Sequence, residues 1–224
     1  MQGDRLILTD AQDAAIIRSG GAAGDHIGLR GIYRAEGLKP RPDSLPVFER
    51  LWNILCAAIL DGDEPRAAAL RRQMRPLQYR AWADVIHNII TTVGANDLLD
   101  KYLKGSAYTQ TIRMGLKGTG TAVIGDTQAS HAAWLEQGLA NAPVYTGNRP
   151  SITMGAAAAK SSVSPAQAFA ITSTGTVFGC FINNGGSATK DDTTGILFSA
   201  GDFSGGSKAV VNLDTLNVTY TLNA

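Results

Sequence analysis

Three histidines, His26, His87 and His131, are the residues best suited to proton transfer or metal binding, and none stands at ligand spacing from another histidine or a cysteine. Asp191-Asp192, followed by Thr193 and Thr194, could offer oxygens to a cation, but adjacent acids in a Gly/Ser/Thr loop read better as a solvated turn. Gly118-Thr-Gly-Thr-Ala-Val-Ile-Gly125 has the glycines of a dinucleotide loop at the wrong spacing, with no long helix after it to meet a phosphate, so it reads as a turn. There is no Gly-x-Ser-x-Gly elbow and no phosphate-binding Gly-x-x-x-x-Gly-Lys-Ser/Thr loop. A hydrolase acting on glycans would need two convergent carboxylates. Beyond residue 104 the acids are Asp126, Glu136, Asp191, Asp192, Asp202 and Asp214, all in turn-like contexts with nothing marking two as partners. No catalytic, cofactor-binding or metal-ligating residue is therefore assigned, and no cofactor is expected.

Two side chains invite a structural role instead. Asp126-Thr-Gln-Ala-Ser-His-Ala-Ala-Trp134 opens like a capped helix, with Asp126 or Thr127 at the cap. His131 and Trp134, three apart, would then meet on one face, Trp134 closing the end of a barrel and His131 bonding a backbone carbonyl. Arg66, Arg71, Arg72, Arg75 and Arg80 form a basic cluster without interleaved aromatics and beside the acidic Asp61-Gly-Asp-Glu64, which suits a solvated or subunit-facing helix face rather than nucleic acid. A net charge of +1 sets up no global field toward nucleic acid or an anionic membrane. The longest apolar run, Ile54–Leu60, is too short to cross a bilayer, and no secretory signal is evident, so a soluble protein made in the cytoplasm is expected. Cys56 and Cys180 sit in apolar contexts, and buried free thiols are expected over a disulfide.

The elements that would carry these residues divide the chain in three. Residues 1–28 read as an N-terminal arm: Leu6-Ile-Leu8 could add a strand to a neighbour, Thr9–Ile17 could make two helical turns, and Ser19-Gly-Gly-Ala-Ala-Gly24 breaks regular structure. Residues 29–104 combine strands with a helical insertion. A strand over 28–34 runs into a linker at 37–46, where Pro40, Pro42 and Pro46 forbid a central strand. Two helices occupy about 44–75, the first with Val47, Leu51, Ile54, Leu55, Ala58 and Ile59 on one face, the second capped by Asp63. A strand over 79–86 and a short helix over about 95–104 follow, the helix burying Leu98, Leu99, Tyr102 and Leu103 and ending at Gly105. In residues 105–224 charge thins out, and Thr, Ser, Gly, Ala and Asn replace it. Short strands are expected at 108–117, 143–146, 150–154, 167–173, 175–183, 195–199, 208–211 and 214–222. Both faces of 175–183 are apolar, which marks a central strand, and Leu216, Val218, Tyr220 and Leu222 alternate with polar residues. The expectation is a mainly β protein: an antiparallel β-sandwich or jelly-roll-like module, preceded by an arm and a two-helix insertion.

The ordered series His87-Asn-Ile-Ile-Thr-Thr-Val-Gly94, Leu98-Leu-Asp100, Tyr108-Thr…Met114-Gly-Leu-Lys117, Gly125-Asp-Thr-Gln-Ala-Ser-His-Ala-Ala-Trp134, Ser199-Ala-Gly-Asp-Phe-Ser-Gly-Gly206 and Asp214-Thr-Leu-Asn-Val-Thr-Tyr220 resembles a family of small structural proteins of tailed bacteriophages and prophages. The resemblance covers about 79–224, with Gly28–Glu36 as an outlying piece. It implies a non-enzymatic virion protein, most simply a capsid decoration or cement protein bridging major capsid subunits. The alternative it leaves open is a tail or fibre accessory protein involved in host attachment. It also implies location in the virion, after synthesis in the host cytoplasm, and the apolar arm and charge-poor β-half add a homo-oligomer, dimer or trimer. The family pattern runs almost directly from the first strand to Trp82-Ala-Asp-Val-Ile-His87, so the insertion at 37–78 is a departure and points to a subunit contact of this protein's own.

Overall fold

The long strand β1 (Arg30–Pro40) and the last strand, β13 (Thr215–Asn223), pair antiparallel along almost their whole length, from Arg30 opposite Asn223 to Leu38 opposite Thr215. A computed structural model describes residues 28–105 and 111–224. The expected arm, apart from Gly28, and the start of the strand expected at 108–117 lie outside the described residues. Strands take 39% of the described residues and helices 23%, in antiparallel sheets with three α-helices among them, so the described fold is mainly β as expected.

The first sheet runs β2 (Gln78–His87), β1, β13 and β7 (Ser161–Val163), with β8 (Gln167–Ala170) also on β13. The second runs β3 (Ile89–Ile90), β11 (Ile196–Asp202), β10 (Gly179–Asn184), β4 (Ile112–Lys117) and β5 (Glu136–Gln137), with β6 (Ser151–Ile152) on β4. A small ribbon pairs β9 (Gly175–Val177) with β12 (Lys208–Val210). One apolar core draws on both large sheets: Tyr33, Ile86, Leu216, Val218 and Tyr220 from the first, Met114, Leu116, Cys180 and Ile182 from the second. Tyr33 also reaches across it, its hydroxyl 2.7 Å from Ser199 Oγ. Every residue of β10 is buried, as two apolar faces require of a central strand, and β13 buries Leu216, Val218 and Tyr220 while leaving the alternate positions half-buried.

The helical insertion corrects the expected linker at 37–46. β1 continues through Gly37–Pro40, with a bulge between Gly37 and Leu38, and proline is tolerated because Pro40 is the last residue of the strand. Helix α1 (Leu45–Leu60) buries Phe48, Leu51, Trp52, Leu55 and Ala58, so the expected face is corrected: Val47 is 48% exposed, Ile54 and Ile59 are half-buried, and Phe48 and Trp52 take the inner positions. Helix α2 (Glu64–Met74) starts at the Asp63 cap, whose carboxylate accepts a hydrogen bond from Arg66 N at 3.1 Å. The two helices bury a second apolar cluster against Ala170. Their ends return to one place, since Arg41 N donates to Leu77 O at 2.8 Å and Pro40 stands opposite Gln78. The insertion therefore grows from the tip of a β1–β2 hairpin without disturbing its pairing. Both cysteines are free; Cys180 is buried, whereas Cys56 is only half-buried.

Candidate interaction surface

The helix expected at Asp126–Trp134 is absent; the segment is a loop held by its own side chains. Asp126 Oδ2 accepts from Trp134 Nε1 and from Val123 N, both at 2.9 Å, while Thr127 and Ser130 exchange backbone hydrogen bonds. Such side-chain-to-backbone bonds compete directly with helix formation. Trp134 is thereby drawn into a buried cluster with Ala122, Phe181, Leu197 and Ala200. His131 stacks on it at 4.0 Å between ring centroids and donates from Nδ1 to Trp134 O at 2.9 Å, so the expected carbonyl bond is present in a different backbone. His87 is exposed at the end of β2.

The acids sort into braces. Glu136, expected in a turn, is buried in β5 and grips the buried Arg149 with both oxygens, at 2.8 Å to Nε and 2.5 Å to Nη2. Arg149 also donates to Ser187 O and Asp192 O, and Glu136 Oε2 accepts from Asp191 N at 2.8 Å. Asp191 and Asp192 form the expected turn: Asp191 has φ 61° and accepts from Ala140 N. The hydroxyl and amide of Thr194 hold the Asp192 carboxyl below its usual range. Lys190 Nζ donates to Tyr145 O at 2.7 Å, and burial pulls its pKa down against the attraction of Glu136 and Asp191. A second brace joins the buried Lys117 to Asp202 at 2.7 Å and to the carbonyl of Gly118, with Gly120 O as a further acceptor. In the arginine cluster, Arg71 pairs with Glu64 and Arg75 with Glu36, while Arg66 and Arg80 are exposed. These groups hold loops to strands; their acceptors are already occupied by internal donors.

The exposed surface around the third helix is apolar. Helix α3 (Thr92–Tyr102) is capped by Thr91, whose Oγ1 accepts from Gly94 N at 3.1 Å. At Gly94 a Cβ would meet Phe198 O at 2.5 Å and its Cα at 2.7 Å, so this first turn lies directly on the β11 backbone. The expected burial of Leu98, Leu99, Tyr102 and Leu103 is corrected. Leu98 is half-buried, but Leu99 is 49%, Tyr102 84% and Leu103 73% exposed. The close approach at Gly94 fixes which side of the helix faces the sheet, and it turns the leucine and tyrosine ridge outward. Val123 and Ile124, also exposed, adjoin the helix start, where Ile124 O accepts from Thr92 N at 2.9 Å.

Under Leu98 a cavity of about 290 Å³ opens between the helix and the two sheets, lined by Ile112, Met154, Ile182, Phe198 and Leu222. Asn184 Nδ2 donates to Asp97 Oδ2 at 2.6 Å inside it, and the buried Asn184 Oδ1 has no donor. Among the described residues no group of three His, Cys, Asp or Glu side chains is placed to hold a metal ion, and no helix is long and apolar enough to cross a membrane.

Sequence reasoning missed the Glu136–Arg149 brace and the exposed helix ridge. The signal for the first was the isolation of two opposite charges in a charge-poor half. Compared with models of protein families, with curated proteins and with solved structures, the chain matches none of them.

Proposed function

We propose that this protein is a non-enzymatic structural subunit of a virion, a decoration protein that bridges major capsid subunits, and that its two large sheets are the leaves of a β-sandwich. The observation that carries this reading is the exposed apolar ridge Leu99–Tyr102–Leu103 at the end of α3, with Val123 and Ile124 exposed at the helix's start, held on a braced β-core. A lattice of such contacts stabilises a shell by repetition, with modest area at each one. The resemblance in sequence supports the same reading, because its motifs are spent on architecture here. Thr91 and Gly94 seat α3, Asp126 and Trp134 close a loop, Gly205 N donates to Asp84, and Asp214 accepts from Val211 N. The subunit is a homo-oligomer in this reading, with α3 at the contact.

The test is densitometry of purified particles, this band against the major capsid protein. About one copy per capsid subunit, or per two, is the expected result. A few copies per hundred would overturn the decoration reading in favour of a tail or fibre accessory. Leu99→Glu with Tyr102→Glu is expected to leave the fold intact and to abolish incorporation; unchanged incorporation would remove α3 from the contact.

A further inference from the structure

The outer face of the first sheet carries a positively charged groove. Leu216, Val218 and Tyr220 of β13 point into the core, so Asn217 and Thr219 point away from it. The register sets the rows of this outer face: Leu38 and Arg80 share one with Thr215, Glu36 shares the next with Asn217, and Arg34 the third with Thr219. Successive rows are two residues apart, about 7 Å. The helical insertion closes over the first row, and two hollows run on from it along the sheet.

The first hollow, about 240 Å³, sets Arg71, Arg72 and Arg75 of α2 over a floor of Leu38, Leu55 and Met74. Its other polar wall groups, Gln78 and Thr215, are hydrogen-bonded to each other at 3.0 Å. The second, about 270 Å³, is walled by Arg34, Arg80, Asp84 and Thr219. Asn217 lines both hollows. Glu36 stands at their junction, its Oε1 accepting from Asn217 Nδ2 at 3.0 Å and pairing with Arg75 at 3.4 Å.

The local acids do not balance this charge. Glu64 is taken by Arg71 at 2.7 Å, Glu36 by Arg75, and Asp84 by Lys208 at 2.5 Å. Arg72 and Arg80 are exposed and form no ion pair among the described residues. A guanidinium presents paired N–H donors that match a carboxylate. The positive stretch is also interrupted, by Glu36 and by the apolar floor. A polyphosphate, charged at every unit, is repelled at Glu36, whereas a peptide can carry its carboxylates to the arginines and set an aliphatic side chain on the floor.

We propose that this groove docks an acidic, extended segment of a partner protein, with carboxylates of that segment held by Arg72 and Arg80 and one of its aliphatic side chains in the first hollow. The proposal does not depend on the virion reading, whose contact is α3, seated on β11 of the other sheet.

The test uses the full chain and a fluorescein-labelled eight-residue peptide of alternating Glu and Leu, followed by anisotropy at low ionic strength, where exposed charges are least screened. The same peptide with Gln for Glu and an oligothymidylate of twelve nucleotides are the comparisons. The Glu peptide is expected to bind, more tightly than either, and to shift the amide signals of Ala168, Asn217 and Thr219 while those of 92–102 stay in place. Arg72→Glu and Arg80→Glu should each weaken it by about tenfold or more. Arg66→Glu, exposed on the same helix but outside both hollows, should leave it nearly unchanged. Where a Glu variant fails to fold by circular dichroism, Gln at that position serves, with a smaller loss in the same direction. Tighter binding of the oligothymidylate would overturn the proposal in favour of nucleic acid. Equal binding of the Gln peptide, an equal loss with Arg66→Glu, or no binding of the Glu peptide would overturn it as well.

Discussion

Replacing Glu136 with Gln removes one charge from a pair in which Arg149 exposes none of its side chain and Glu136 only 3%. The guanidinium keeps its carbonyl acceptors on Ser187 and Asp192 but loses its counter-ion in a water-poor site. Breaking a buried pair from one side costs about 3–5 kcal/mol, against a total stability on the order of 5–15 kcal/mol. For a protein of this size that is a fall in Tm of roughly 6–20 °C. Arg149→Met should cost a similar amount, because it strands the carboxylate. The double variant Glu136→Leu/Arg149→Met should cost less than the two single losses combined, since it buries neither charge alone, yet it still leaves Asp191 N without its acceptor. Urea unfolding followed by tryptophan fluorescence measures all three, with Trp134 5.4 Å from the Phe181 ring over which Arg149 lies. A Glu136→Gln loss below about 1 kcal/mol, or strict additivity in the double variant, would refute the brace as a coupled unit.

Alkali should unfold the protein through its buried tyrosines. Burial pushes Tyr220 up to about 12 and raises Tyr33 and Tyr145 well above the usual value. A raised folded-state pKa gives stability that is whole below pH about 10 and is lost as pH climbs through the folded value; Tyr220 alone accounts for about 2–3 kcal/mol. Urea midpoints at several pH values up to about 11.5, read with phenolate absorbance, check this, and a flat profile would contradict it. Gly94→Ala forces the first turn of α3 off Phe198 and should cost about 1–3 kcal/mol, with loss of amide protection in 92–102 rather than in α1; equal protection in both variants would contradict the close approach. Replacing residues 42–76 by a two-residue Asn-Gly turn should leave the β1–β2 pairing intact in a soluble, cooperatively unfolding protein, because Arg41 and Leu77 are already hydrogen-bonded neighbours. A molten product, by near-ultraviolet circular dichroism, would show the helices to be part of the core.

What could be read from the sequence was set by pattern within single elements. The two apolar faces of β10, the alternation in β13, the helical period from Val47 and the Asp63 cap are local signals, and each corresponds to an observed element. The failures came where a distant partner decides. Strand β5 is two residues long and exists because Leu116 and Lys117 pair with it, and β7 exists on β13 in the same way. At α3 the leucines gave the correct helix and the wrong face, because the orientation depends on one glycine against the β11 backbone. At 126–134 the cap residues were correctly seen as hydrogen-bonding groups, but the Trp134 indole and the loop's own amides took those bonds. The candidate surface was thus present in the sequence as named residues, without the contacts that turn them outward.

The pairing of β1 with β13 also governs timing on the ribosome. Arg30 waits for Asn223, so the centre of the first sheet stays open until residues 215–223 have been synthesised. Pairings this distant in sequence slow folding, because a long loop must be closed before any contact rewards it. Until then β1 can bond on one side only, through β2, and its other edge offers free amides and carbonyls to neighbouring nascent chains. A stall before residues 215–223 are made, or a codon change that delays them, would therefore lower the yield of native protein while leaving the stability of the molecules that finish unchanged.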